Sequence, residues 1–162
     1  MVEPSKLKDL AASKKKVFKK LAQRLKKIPP RELDYTFHEL HEEAFENIEC
    51  LECANCCKTT SPIFIERDIQ RISKHLGLKP GDFVEKYLRE DEDGDFVLKK
   101  SPCAFLGDDN YCSIYEVRPR ACREYPHTNR KNMQQIMDLT VKNTRICPAV
   151  YRIMERLSDS QR

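Results

Sequence analysis

The chain has 162 residues, 40% of them hydrophobic and 35% charged, and carries a net charge of +4 at pH 7. That size and mix fit one domain with a short appended segment. They exclude a transmembrane helix, since no apolar run approaches the roughly 20 residues a bilayer requires, and no secretory leader is expected, because Lys6 to Lys27 interleaves lysines with single apolar residues.

The charge is spread unevenly. Residues 1–27 hold ten Lys/Arg against Glu3 and Asp9. Leu7, Leu10, Val17, Phe18, Leu21 and Leu25 recur there at near-helical spacing, which predicts one basic amphipathic helix spanning residues 1–29 and ended by Pro29-Pro30. Residues 28–57 reverse the sign, with Arg31 alone against eight acids. A second helix is predicted from about Arg31 to Ile48, with Leu33, Phe37, Leu40, Ala44, Phe45 and Ile48 on one face and Pro30 at its opening. Opposite charge suggests that the two pair as an antiparallel hairpin. Lysine outnumbers arginine in the basic segment and no aromatic residues alternate with it for base stacking. Its regular apolar stripe reads as a core-facing surface, so nucleic acid is not the expected partner.

Ser61 to Ile65 is short and extended. A helix follows from Glu66 to Leu76, stopped by Gly77, and another from Pro80 to Leu88, with Asp82 as the candidate cap. Asp91 to Asp95 is a turn leading into Phe96-Val97-Leu98, so a small β-hairpin is expected. Ser101 to Pro126 is punctuated by prolines and cysteines, Asn132 to Val141 fits helix or strand, and Pro148 to Leu157 is a closing helix. The fold class is therefore mostly α with minor β. A small, irregular, cysteine-rich, metal-centred domain over residues 30–162 follows the N-terminal helical hairpin.

All eight cysteines lie at or beyond residue 50. A cytoplasmic location is expected, and in that reducing compartment clustered thiols are metal ligands or redox groups more often than disulfides. Cys50, Cys53, Cys56 and Cys57 form Cys-x-x-Cys-x-x-Cys-Cys, in which three-residue spacing on a turn aims pairs of sulfurs at one ion. The side chains of adjacent Cys56 and Cys57 are expected to diverge, which suits two centres, or a cluster plus a second site. Cys103, Cys112, Cys122 and Cys147 are too dispersed for a finger, so long-range folding must deliver them. Eight ligands make two four-sulfur sites, or one site with thiols to spare. Sulfur-only donor sets suit zinc and iron–sulfur clusters alike. A ferredoxin-type run is matched through Cys56 but then broken by Cys57, and Cys147-Pro148 supplies a distant Cys-Pro pair.

Arg118, Arg120 and Arg123 flank Cys122, where positive charge offsets thiolate charge. Arg118 and Arg123 are the candidate outer residues of the site, with local hydrogen bonding as the alternative role. Tyr111, Tyr115 and Tyr125 are expected to shield it. His127, His38, His41 and His75 are not expected to be ligands. No Ser-His-Asp set, phosphate-binding glycine loop or dinucleotide fingerprint is present, so no catalytic residue is assigned.

Cys50 to Cys57, Ser101-Pro102-Cys103-Ala104-Phe105-Leu106, Cys112-Ser113-Ile114-Tyr115 and Arg118-Pro119-Arg120-Ala121-Cys122-Arg123-Glu124-Tyr125-Pro126 together resemble the CxxCxxCC zinc- or iron-chelating proteins of the YkgJ type. The resemblance covers about residues 48–150, and one departure is Ala54-Asn55, where many members have a glycine after the second cysteine. It implies chelation of zinc or iron and leaves the biochemical role open. A related cysteine pattern occurs in flagellin lysine methylases, which keeps an iron–sulfur enzyme as an alternative. The metal ion is the expected partner, a protein partner is unidentified, and the three readings are structural zinc, an iron–sulfur redox protein or enzyme, and a metal carrier.

Overall fold

The computed structural model describes residues 2–160, so Met1, Gln161 and Arg162, at the ends of the two expected segments, lie outside the described residues. In chain order the helices are α1 (Pro4–Ser13), α2 (Lys15–Leu25), α3 (Pro30–Phe45), α4 (Cys50–Cys53), α5 (Asn55–Thr59), α6 (Glu66–His75), α7 (Pro80–Tyr87), α8 (Arg120–Glu124), α9 (Met137–Asn143) and α10 (Pro148–Asp159). Strands β1 (Leu88–Glu90) and β2 (Phe96–Leu98) complete the set, so the architecture is mostly α with minor β. The chain forms two compact units. One joins the residues up to Glu49 with those from Pro126 onward, and the other is Cys50–Tyr125.

The first unit is helical and is organised around α10. Val150, Tyr151, Ile153 and Met154 are buried on that helix. It packs against α1, α2, α3 and α9. The apolar stripe read from the sequence is the core face of this bundle, since Leu7, Phe18, Leu21, Leu25, Leu33 and Phe37 are all buried. Phe18 meets Tyr151 edge-on at 5.7 Å between centroids, a favoured aromatic geometry. The charged faces find their partners on the C-terminal helices. Lys14 pairs with Glu155, Lys26 with Asp138 at 2.9 Å, and Glu43 of α3 with Arg156 at 2.9 Å. All three pairs are solvent-accessible and contribute at most about 1 kcal/mol each, so the apolar stripe carries the packing.

The single basic helix expected over residues 1–29 is in fact two helices. Lys14 leaves helical geometry at φ −96° and ψ 5°, and the Ser13 hydroxyl donates to the Leu10 carbonyl at 2.7 Å. Such a side-chain bond competes with the helical ladder. The ambiguous stretch after Asn132 is helical: a 3₁₀ turn, Met133–Ile136, runs into α9. The Asp34 carboxylate accepts from the backbone N–H groups of Asn132 and Met133, both at 2.8 Å, and anchors that start to α3. His38 Nε2 is 3.1 Å from the Arg130 carbonyl and His41 Nδ1 is 2.7 Å from the Thr128 hydroxyl, fastening the 128–130 loop to α3.

The second unit has its own core: Phe64, Ile69, Ile72, Phe83, Leu88, Leu98, Phe105 and Ile114. Phe83 is fully buried and stacks on Phe105 with centroids 6.3 Å apart. The hairpin pairs Leu88 with Leu98, Arg89 with Val97 and Glu90 with Phe96. Asp91 Oδ1 shapes its turn by accepting from Asp93 and Asp95 N–H at 3.0 and 2.9 Å. The extended segment before α6 joins this sheet, with Phe64 N–H donating to the Phe96 carbonyl at 2.8 Å. Gly77 ends α6 at φ 69°, a conformation that favours glycine. Asp82 is not the cap of α7. Lys79 occupies that position without a side-chain bond, and Asp82 sits inside the first turn, where its charge complements the helix dipole.

Candidate metal centre

The Cys-x-x-Cys-x-x-Cys-Cys run folds as two one-turn helices hinged at Ala54. Cys50 and Cys53 belong to α4, and Cys56 and Cys57 to α5. Ala54 has φ 46° and ψ 17°, in the left-handed region. Its N–H donates to the Cys50 carbonyl at 2.9 Å, and its carbonyl accepts from Lys58 N–H at 3.1 Å. One residue thus closes the first helix and opens the second. A left-handed residue with a side chain costs about 1–2 kcal/mol.

Hydrogen bonds then bring distant segments to α5. Cys103 N–H donates to the Cys57 carbonyl at 2.8 Å, and the Ser101 hydroxyl donates to the Lys58 carbonyl at 2.9 Å. Residues 103–113 double back tightly: Leu106 bridges Cys112, Gly107 N–H donates to the Tyr111 carbonyl at 2.8 Å, and Ser113 N–H donates to the Phe105 carbonyl at 2.8 Å. At Gly107 a Cβ would come within 2.7 Å of Asp109 Oδ1 and 3.3 Å of the Tyr111 carbonyl, so a larger residue would displace the Asp109 side chain. The Asn110 side-chain amide donates to the Glu52 carbonyl at 2.9 Å and ties this turn to α4. Cys103 and Cys112 also pack on the unit's apolar core.

The fourth segment carries Cys122 and is held by a residue whose role the sequence understated. Asp68, which reads as an ordinary helix-opening acid, is 1% exposed. Its Oδ2 accepts from Ile65 N–H at 3.2 Å, and its Oδ1 accepts from Arg71 Nη2 at 2.7 Å and from Arg120 N–H at 3.1 Å. Arg71 in turn donates to the carbonyls of Val117 and Arg118 at 3.2 and 2.8 Å. The pair clamps Val117 to Arg120 onto α6 and so fixes the start of α8. Arg118 lies against the Tyr115 ring, 3.9 Å from its centroid, and donates to the Tyr115 carbonyl at 2.7 Å. Arg120 pairs with Glu124 at 2.6 Å, and Arg123 is an exposed residue of α8.

All eight cysteines are thiols. Cys57, Cys103, Cys112 and Cys122 lie within one another's electrostatic reach, so that every pair among the four is coupled. The neighbouring Cys56 side chain, with smaller help from the Cys57 backbone and the Lys58 charge, outweighs burial and lowers the Cys57 thiol to about 7. Burial pushes the Cys122 thiol up to about 12, aided by the charges of Cys57, Cys103 and Cys112 and opposed by Arg118. Burial likewise raises Cys103 and Cys112. Negative charge on Cys57 hinders ionisation of Cys103, Cys112 and Cys122, and a cation among them would offset that charge.

Seven cysteines belong to this unit, whereas Cys147 is buried in the other, where it precedes α10. Among the described residues no three His, Cys, Asp or Glu side chains already converge as the ligands of one ion. The donor chemistry nonetheless fits the group. Soft sulfur ligands from four chain segments are the set that zinc and iron select.

The sequence model of the CxxCxxCC family, described as "Putative zinc- or iron-chelating domain", matches residues 49–148, more than half of the chain. Neither the curated proteins nor the solved structures contain a match to it.

Proposed function

The chain belongs to the CxxCxxCC family of zinc- or iron-chelating domains, and from that premise we propose that the Cys50–Tyr125 unit binds one such metal through Cys57, Cys103, Cys112 and Cys122. The observation that carries this reading is the mutual electrostatic reach of those four thiols, which come from segments up to 65 positions apart in the sequence. A bound zinc ion would supply a cross-link among the segments, and iron would add redox capacity. The chain's own contribution is placement. The Cys57 carbonyl holds Cys103, the Leu106–Cys112 bridge holds Cys112, and the Asp68–Arg71 pair holds the stretch leading to Cys122. Arg118 offsets negative charge beside Cys112 and Cys122.

A second reading, an iron–sulfur protein acting in redox chemistry or as part of an enzyme, rests on the number of thiols. Seven in one unit exceed the four that a single tetrahedral ion takes, and the paired Cys56 and Cys57 stand where the two sets meet.

Elemental analysis of anaerobically purified full-length protein, with a visible spectrum of the same sample, tests both readings. One zinc without colour supports the first. Iron with acid-labile sulfide and broad brown absorption supports the second. Cys122→Ser is expected to lose the metal while Cys50→Ser retains part of it. A folded protein that purifies without metal and takes up neither zinc nor iron refutes both.

A further inference from the structure

The helical unit carries a groove of about 810 Å³ that metal binding does not use. Its walls are α2 and the α9 segment, and five of its lining side chains are cations: Lys15, Lys19 and Lys20 on one wall, Lys142 and Arg145 on the other. All five are exposed, and no ion pair involves any of them among the described residues. Asp138 also lines the groove, but Lys26 neutralises it at 2.9 Å. The helices' apolar side chains point into the core, so these cations were not needed to build the bundle. Five like charges held around one concave surface repel one another, and that repulsion is relieved when an anion enters.

We propose that this groove is a binding site for an acidic, amphipathic helical segment of a partner protein. Three features choose that occupant. Ala11, Ala12 and Val141 give the lining small apolar surface, which suits an apolar ridge, whereas a phosphodiester backbone gains nothing from it. The cations stand on both walls, matching carboxylates that flank an apolar stripe. Lys15 and Lys19 are one helical turn apart, roughly 6 Å along the axis, the same repeat as acids at i and i+4 on a partner helix. Among the described residues no aromatic side chain lines the groove to stack a nucleic-acid base. Its concave form, with a volume within the usual range for ligand sites, also differs from the broad face a lipid surface would meet.

The test is fluorescence anisotropy with the full-length protein and a labelled helical peptide of about 18 residues, leucine at i, i+3, i+4 and i+7 and glutamate elsewhere. Saturable binding is expected, weakened at least tenfold when salt rises from about 50 to about 300 mM, because the contacts are exposed to screening. The triple variant Lys15→Glu, Lys19→Glu, Lys142→Glu should weaken it at least tenfold, with its circular dichroism and melting temperature unchanged since all three side chains are exposed. A peptide with glutamine for glutamate should also bind at least tenfold more weakly. No binding overturns the proposal, as does an equal affinity for the glutamine peptide. A labelled single-stranded RNA or an anionic vesicle that binds more tightly than the peptide, and loses that binding in the triple variant, overturns the choice of occupant.

Discussion

Replacing Asp68 should loosen the segment that delivers Cys122. The carboxylate is 1% exposed and holds three donors: Ile65 N–H, Arg120 N–H and the Arg71 guanidinium. Asp68→Ala leaves both backbone N–H groups without that acceptor, at about 1–2 kcal/mol each where water cannot replace it. Arg71 is 32% exposed at its side chain, so part of its loss is recovered by solvent and that pair adds no more than about 1 kcal/mol. The expected destabilisation is about 2–5 kcal/mol. Asp68→Asn should cost less, about 1–2 kcal/mol, because its carbonyl can still serve Arg71 and Arg120 while its NH₂ opposes the Ile65 N–H. Urea denaturation followed by circular dichroism gives the stability change. Metal content after dialysis against a mild chelator reads the site, and both variants should lose metal faster than wild type in the order Ala, then Asn. Equal metal retention in all three proteins, or a loss below about 0.5 kcal/mol for Asp68→Ala, refutes the clamp.

Phe83 sits against Phe64, Tyr87 and Phe105 and is fully buried, so Phe83→Ala should lower stability by about 3–5 kcal/mol in the same urea assay while Phe83→Leu costs about 1–2 kcal/mol. Ala54→Gly should change stability by less than about 1 kcal/mol, because relief of left-handed strain is offset by greater unfolded-state freedom and a lost buried methyl. Ala54→Val should lose more than about 2 kcal/mol, since a β-branched side chain tolerates that conformation poorly. His41 has its pKa lowered from 6.5 first by burial, with His38 adding and Glu42 opposing. Above pH 6.5 it is neutral in both states; below that the unfolded chain takes up the proton first, so stability should fall as pH drops through 6.5 and level off below the folded pKa. A melting-temperature profile from pH 8 to 5 should therefore be flatter for His41→Gln than for wild type.

The elements that were legible in the sequence are those with long apolar periodicity. Leu33 to Ala44 and Val150 to Leu157 mark their buried faces by spacing alone, and α3 and α10 lie where that spacing puts them. The hairpin was legible because Asp91 to Asp95 carries both the turn chemistry and the acid that shapes it. The break at Lys14 was not, since it depends on a hydroxyl–carbonyl bond worth less than the helical pattern around it. Which helices would receive the basic face was equally hidden. The acidic α3 is its nearest neighbour in sequence, yet Lys14 and Lys26 pair with Glu155 and Asp138, and surface charge is too weak to dictate pairing when apolar stripes compete.

At the candidate centre the sequence lists the cysteines but not which segments lie together, and the reason is topological. Cys50, Cys53, Cys56 and Cys57 look like one local nest, yet the left-handed Ala54 divides them between two helices and the second of these presents Cys57 to Cys103. Cys103 and Cys112 are joined by a tight turn through Gly107, and Cys122 is placed by a carboxylate more than fifty residues earlier. None of these couplings leaves a periodic signature. Each is a hydrogen bond between segments whose separation the sequence does not encode in composition. A scaffold with that construction ties placement of the proposed ligands to the fold of residues 50–125 as a whole, so a substitution outside the cysteines, such as Asp68→Ala, should act on the metal as strongly as on stability. Substituting a proposed ligand, as in Cys122→Ser, where the fold is already held by the Phe83 core, should act on the metal more than on the fold. The ratio of the two effects across the two variants separates a centre that is built by the fold from one that builds it.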